Sequence, residues 1–378
     1  MYLDLYAIQA VPPANINRDD TGSPKTALYG GVRRARVSSQ AWKRSIRTMF
    51  GELLPKDKLG VRTKFAVNLI AKKIEDRRPD LAERAEGLAT SVLQALGVKV
   101  KASTRKGDTE GTGATEYLLF IAERELDALA DIAIGWVDDG LSADKPDKAM
   151  KNQVKEAFHG VQAIDIALFG RMLADVPELN SDASCQVAHA ISVDRVQQEY
   201  DYFTAVDDCA PDDNVGAGMI GTVEFNSSTL YRYATVDIDS LAGQLGDAEA
   251  TAAAVKAFAE AFARSMPTGK QNTFANRTLP GTFIVAVRQQ QPINLVTAFE
   301  NPVRPSQQES ISRQAERRLV DTIKEYATAF GEHAEQLRFV SLQGEQSPLS
   351  EVGVSESLPD MLANLEAYVS QRLTSEDA

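Results

Sequence analysis

The chain has 378 residues, 43% of them hydrophobic, with 53 Asp+Glu against 41 Lys+Arg and a formal charge of −12. That length and apolar content allow a full core and two or three domains, while the acidity argues against indiscriminate nucleic-acid binding. No apolar run approaches the ~18 residues of a membrane span. Cys185 and Cys209 lack a CxxC or Cys/His partner spacing, and His159, His189 and His333 are scattered. Neither a disulfide framework nor a metal site is therefore expected. The expectation is a cytoplasmic protein without metal, cofactor or membrane association.

In chain order, MYLDLYAIQA has Asp4 inside it and no basic flank, so it reads as a strand over 2–9 rather than a signal peptide. Residues 11–31, rich in Pro, Asn, Asp and Gly, read as a long loop. A helix is predicted from Ser38-Ser39 to about Phe50, and nearly everything from 51 to 165 reads as helix. The exception is the polar, glycine-rich break ASTRKGDTEGTGAT at 102–115. The stretch 192–224 shows little periodicity. Strands are predicted at 229–239, 281–288 and 294–300, and helices at 247–266, about 308–330 and 358–373. Removing the helical block leaves strand, helix, strand, helix, strand. That order suits an α+β, ferredoxin-like (RNA-recognition-like) sheet with one large helical insertion, although the aromatic RNP signature is absent.

The stretch GGVRRARVSSQAWKRSIR, residues 30–47, carries six basic side chains and no acid. With Ser38 or Ser39 as N-cap, Gln40, Lys43, Arg44 and Arg47 fall on one stripe of a helix, and Trp42, Ile46, Met49 and Phe50 on the opposite, core-facing stripe. Arg33, Arg34 and Arg36 approach on the preceding extended segment, behind Gly30-Gly31. Serine hydroxyls and free backbone N–H groups at a helix start suit phosphate oxygens. The plainer reading is a solvated face that balances acids elsewhere. Six like charges in one place favour a polyanion instead.

These residues also carry a resemblance. NINRDDTGSPK (15–25) with GGVRRARVSSQAWKR (30–44), then DIALFGRM (165–172), AHAISVD (188–194), DYFTAVDD (201–208), GTVEFNSSTLYRYA (221–234) and GKQNTFA (269–275) follow one another in order. Together they resemble the backbone subunit of the type I-E CRISPR Cascade complex, the CasC family. The resemblance implies a hand-like protein: a palm over 1–50 and 221–300 with C-terminal helices at 300–378, helical fingers over 51–180, and a protruding thumb over 192–224. It implies a binder rather than an enzyme, several copies of which line up along a CRISPR RNA. Target DNA and other Cascade subunits would be its further partners, and a separate helicase-nuclease would do the cutting. Carried over, Lys25, Ser38, Gln40, Lys43 and Arg47 would meet the guide backbone, and Met172 and Phe203 would displace or stack on bases. Tyr202 and Phe203 lie in a segment, 198–213, that has six acids and no base. Those acids are expected to face the basic stripe of a neighbouring copy.

In ADKPDKAMKNQVKEAF (143–158), Lys145, Lys148, Lys151 and Lys155 are spaced to share one side of a helix, with Ala149, Val154 and Phe158 on an apolar face. A lysine row is often plain solvated surface; similar family members set finger lysines against target DNA. Two other function classes compete with the binding subunit. Asp19-Asp20 is a paired carboxylate, and related type III backbone subunits use an aspartate to cleave target RNA. No histidine or recurring acid spacing supports that chemistry here, and Asp19 is expected to pair with Arg18 or to cap its loop. A stand-alone RNA-binding regulator would occupy discrete sites instead of forming filaments.

Overall fold

A computed structural model describes residues 1–102, 113–143, 145–158, 160–173, 175–205 and 219–376. From the start, β1 (Tyr2–Ala14), β2 (Thr26–Tyr29) and β3 (Val32–Val37) lead into α1 (Ser39–Leu53). Next come β4 (Gly60–Thr63), α2 (Ala66–Arg77), α3 (Ala85–Leu96), β5 (Val100–Ala102), β6 (Gly113–Thr115), β7 (Leu119–Ala122), α4 (Glu123–Asp138), α5 (Lys148–Glu156) and α6 (Ile164–Phe169). The chain returns through β8 (Cys185–Val187), β9 (Ala190–Ser192), β10 (Glu199–Ala205) and β11 (Met219–Asp237) to α7 (Ile238–Leu245), α8 (Ala248–Arg264) and α9 (Gln271–Phe274). It ends with β12 (Thr282–Arg288), α10 (Ile311–Phe330), β13 (Gln336–Ser341), β14 (Val354–Ser355) and α11 (Leu358–Glu376). Two compact units result, one of 1–49, 186–239 and 255–378, the other of 50–185 and 240–254.

The first unit is built on a mixed sheet in the order β14-β13-β12-β1-β11-β9-β3-β2, with β8 and β10 also paired to β11. β1 lies between β11 and β12, antiparallel to both. It is buried along nearly its whole length, which explains its continuous apolar run. On one face Tyr6, Ile8, Tyr231, Tyr233 and Ile284 pack under Leu319 and Val320 of α10. The other face takes α1 and α8: Trp42 packs with Val37, Leu230 and Met266, and Phe262 lies 6.1 Å from Phe283. The polar break in β1 is satisfied in the interior. Asp4 accepts from Arg288 Nε at 2.9 Å, Tyr233 Oη at 2.8 Å and Ile293 N at 2.9 Å.

The second unit wraps α2, α3, α4 and α5 around Ile70, Val92, Leu93, Leu129, Trp136 and Val154. Arg171 and Glu125 form a fully buried pair beside this core, at 2.7 Å and 2.8 Å, with the Arg171 guanidinium 5.1 Å from the Phe158 ring.

Several sequence expectations change. The predicted loop at 11–31 loses its ends to β1 and β2. β1 passes Pro12-Pro13 through a register shift between Val11 and Ala14, where no ladder donors are needed. The predicted strand at 294–300 is a 3₁₀ turn, Leu295–Phe299, because Asn294 caps it by accepting from Val296 N and both Leu295 and Phe299 are buried. The helical block also contains the ribbons β4–β7 and β5–β6. Of the predicted break at 102–115, residues 103–112 lie outside the described residues.

Candidate nucleic-acid interface

The basic stretch begins at a tight turn. Gly30 and Gly31 are both left-handed, with φ of 58° and 74°, and a Cβ on Gly30 would stand 1.6 Å from the Glu300 carbonyl oxygen. β3 then sends its arginines to different places. Arg33 is exposed and donates to Gln198 Oε1 at 3.0 Å. Arg36 donates to the Thr26 carbonyl at 3.1 Å and stands 3.2 Å from His189 Nδ1. Burial, then Arg36 and Lys25, hold His189 below its ordinary value, so the ring is neutral at pH 7 in a positive setting.

Arg34 departs from the expected role. It is 0% exposed, and its guanidinium donates to the carbonyls of Ser192, Val193, Phe299, Glu300 and Tyr29. A side chain with its donors so committed leaves nothing for a phosphate; Arg34 staples β3 to the strand and turn beside it. The stripe pattern could not separate it from Arg33 and Arg36, because all three are polar on a short strand.

α1 follows the predicted faces. Trp42, Ile46 and Phe50 are buried and Met49 half-buried, while Gln40 and Arg44 are exposed and Lys43 and Arg47 partly so. Ser38 precedes the helix, and its carbonyl accepts from Ala41 N and Trp42 N at 3.0 Å and 3.3 Å. Its side chain is largely buried, so the hydroxyl nearer solvent at this helix start is that of Ser39. Ser38 N donates to Asn17 Oδ1 at 2.9 Å, Lys25 N to the Asn17 carbonyl at 2.9 Å, and Arg36 N to the Lys25 carbonyl at 2.9 Å. These bonds bring half-buried Lys25 to the same surface as the strand and helix cations. Asn17 and His189 belong to this arrangement; both lie in stretches that carry the resemblance, NINRDDTGSPK and AHAISVD, but no charge pattern or periodicity marks either residue as part of the site.

The segment expected to be an aperiodic thumb loop contains a β-ribbon. β10 pairs with the first part of β11, from Glu199↔Phe225 to Ala205↔Met219. All of β10 is exposed, which is why no burial period marks it in the sequence. Successive side chains alternate in face, so Tyr200 and Tyr202 share one face and Phe203 takes the other with Glu199 and Asp201. Tyr202 is 63% and Phe203 36% exposed. The Phe203 ring lies across its partner Gly221, where a Cβ would approach Phe203 Cζ to 2.4 Å. Four of the six acids, Asp207, Asp208, Asp212 and Asp213, lie outside the described residues.

In the second unit Met172 is 80% exposed and is therefore no core methionine, while its neighbour Arg171 is buried. The lysine row is shorter than its spacing suggests. α5 starts at Lys148, after Asp147 accepts from Met150 N at 2.9 Å, so Lys145 precedes the helix. Lys148 and Lys151 are exposed, and Lys155 pairs with Glu178. The apolar face is Met150 and Val154; Ala149 is exposed and Phe158 lies beyond the helix end.

Asp19 caps its own loop rather than pairing with Arg18. Its Oδ1 accepts from Thr21 Oγ1 at 2.7 Å, Thr21 N at 3.0 Å and Ser23 N at 3.0 Å. These bonds, the Thr21 hydroxyl first, hold its carboxyl below the usual range. Among the described residues no group of three or more His, Cys, Asp or Glu is placed to hold a metal ion, and no helix is long and apolar enough to cross a membrane.

The family model described as CT1975-like protein matches residues 3–365. Among solved structures, a chain of a "CRISPR RNA-guided surveillance complex, pre-nicking" is similar at 33% identity and a TM-score of 0.85, over 98% of this chain and 100% of that one. A chain of a "CRISPR RNA-guided surveillance complex" is similar at 29% identity and a TM-score of 0.73, over 96% of this chain and 100% of that one. No curated protein matches the sequence.

Proposed function

Since the chain belongs to the CT1975-like protein family, we propose that it is a backbone subunit of a CRISPR RNA-guided surveillance complex that holds the CRISPR RNA and presents it for pairing in antiviral defence. The observation that carries this reading is the basic surface of an acidic chain. Arg33 and Arg36 on β3, Lys25 on the adjoining loop, and Lys43, Arg44 and Arg47 on α1 gather on one unit, with Gln40 beside them. Flexible and forked cations with backbone donors at a helix start suit a chain of phosphates.

Finer parts of the reading follow from this. Several copies would line up along one guide and adjoin other Cascade subunits in the cytoplasm. Phe203 on its ribbon and exposed Met172 would meet bases, and Lys145, Lys148, Lys151 and Lys155 would lie against target DNA. The strand order β12-β1-β11-β9, with α1 after β1 and α8 after β11, supports a ferredoxin-like palm. Asp19 is bound up in its own turn, which favours a binding role over cleavage of RNA.

The test is direct binding of the purified chain to fluorescein-labelled single-stranded RNA of about 30 nucleotides across a salt series. Affinity independent of sequence, with a steep fall of log K against log salt, is expected. No binding at low salt, alone or with the other subunits, overturns the reading.

A further inference from the structure

Arg232 stands on β11 opposite Ala7 of β1 and is 1% exposed. Its guanidinium carbon lies 3.7 Å from the centroid of the Trp42 ring and 4.5 Å from that of Phe262, so a cation bridges one ring from α1 and one from α8. Nη2 donates to the Phe262 carbonyl, and Nη1 to Gln9 Oε1 at 2.7 Å. Gln9 is fixed in turn by its Nε2, which donates to the Thr278 carbonyl at 3.0 Å. Arg232 Nε has no hydrogen-bond partner. Burial alone shifts this group, down to about 9, with no carboxylate contributing.

A buried cation without a counter-charge is expensive, and an apolar side chain of similar volume fills such a place more cheaply. What the guanidinium supplies is direction. It is held in place by two fixed oxygens and attracts the ring faces, so the Trp42 ring has one favoured orientation against the sheet. Trp42 is, with Ile46 and Phe50, one of the buried anchors of α1, and the one nearest its start. At about 100° per residue, Gln40, Lys43, Arg44 and Arg47 are centred about 150° round the helix from it. The roll of α1 about its axis, and with it the aim of those four side chains, is tied to the ring that Arg232 clamps.

We propose that Arg232 is a positioning residue for the guide-binding face, setting the roll of α1 through Trp42 so that Gln40, Lys43, Arg44 and Arg47 meet one polyanion together. The proposal rests on the RNA-binding reading above.

The test uses the full chain with Arg232→Met, which keeps an unbranched apolar stem without the charge or the planar fork, and Arg232→Lys, which keeps charge without the planar fork. Thermal unfolding, hydrogen exchange of 39–53 and binding of the same labelled RNA across a salt series are measured. The expected Arg232→Met protein melts near the wild-type temperature, because losing a buried unpaired charge offsets the shorter side chain and the donors lost to Gln9 Oε1 and the Phe262 carbonyl. It exchanges faster over 39–53, binds RNA about tenfold more weakly, and has a salt slope smaller by about 1 as one phosphate is released. Arg232→Lys is expected to remain weakened too. Unchanged exchange and unchanged RNA binding in Arg232→Met overturn the clamp, as does a lower melting temperature with an unaltered salt slope. Wild-type binding by Arg232→Lys overturns the role of the planar group. If the wild-type chain itself binds no RNA, the functional reading fails and exchange over 39–53 alone judges the clamp: faster exchange supports it, and unchanged exchange removes it.

Discussion

Asn17 Oδ1 accepts a hydrogen bond from Ser38 N at 2.9 Å, across a sequence separation of 21 residues. The loop between β1 and β2 and the first turn of α1 are thereby one structure. Asn17→Ala removes the acceptor and leaves the Ser38 N–H without it, which is expected to cost about 1 kcal/mol of stability. RNA binding falls along with it, because Lys25 loses its fixed relation to the helix start. Urea unfolding and RNA titration check both effects. A variant with lower stability and untouched affinity would separate the loop from the interface.

Lys43→Ala and Arg47→Ala are each expected to weaken guide binding equally for all spacer sequences, since phosphate-binding cations position a nucleic acid without specifying its sequence. The slope of log K against log salt falls by roughly 1 for each cation removed from a phosphate. Arg34→Ala is the contrasting control. Its guanidinium is spent on carbonyls of the interior, so the variant loses stability. Weakening limited to particular spacers would contradict a phosphate role for Lys43 and Arg47.

Phe203→Ala is expected to leave the fold intact, because every residue of β10 is exposed, and to weaken assembly of adjacent copies on RNA. Removing one aromatic ring that stacks on a base corresponds to about 1–3 kcal/mol. Thermal unfolding and sedimentation on a long RNA check the two halves. A large drop in melting temperature would mean that Phe203 is needed for the sheet.

Changing Lys145, Lys148, Lys151 and Lys155 together to Ala is expected to spare guide binding and to weaken capture of double-stranded DNA by the assembled complex. Most of that effect belongs to Lys148 and Lys151, which are exposed on α5, since Lys155 already has Glu178. Equal weakening of RNA binding would move the row into the guide surface, and no change in either would make it plain solvated helix.

His189 supplies a pH dependence. Its folded value is held below 6.5 by burial and by Arg36 and Lys25, so the folded state binds this proton more weakly than the unfolded chain. The stabilising contribution is therefore complete above about pH 6.5 and is lost as pH falls through the lower folded value. The ring is largely open to solvent, which keeps the effect small. RNA phosphates near Arg36 should raise the His189 value, so binding takes up a proton in the same window. NMR titration of His189 with and without RNA checks the direction. A value that falls on adding RNA contradicts its place in the interface.

What the sequence showed of the site follows from burial. Trp42, Ile46 and Phe50 carry a helical period because one face of α1 is in the core, so the outward stripe could be read off as its complement. β10 has no such face, and its ribbon pairing stayed hidden behind tyrosines and acids that alternate without burial. Arg34 was misplaced for the opposite reason: its interior site is made by carbonyls from 192–193 and 299–300, and no local pattern reports partners that far along the chain. The α+β class was legible in β1 and β12, whose apolar runs are buried on both faces. β13 was not, because QLRFVS mixes charge into a strand near the sheet edge.

The β10–β11 pairing also constrains how this arm can change in length. Which side Tyr202 takes and which side Phe203 takes is set by their parity along β10, counted from the pair Glu199↔Phe225. Inserting or deleting a single residue between 199 and 202 exchanges the tyrosine side with the phenylalanine side and sets the Phe203 ring off Gly221. Two residues restore the assignment one step further out. Viable relatives with a longer or shorter arm are therefore expected to differ here by even numbers, or to carry a bulge that restores the count.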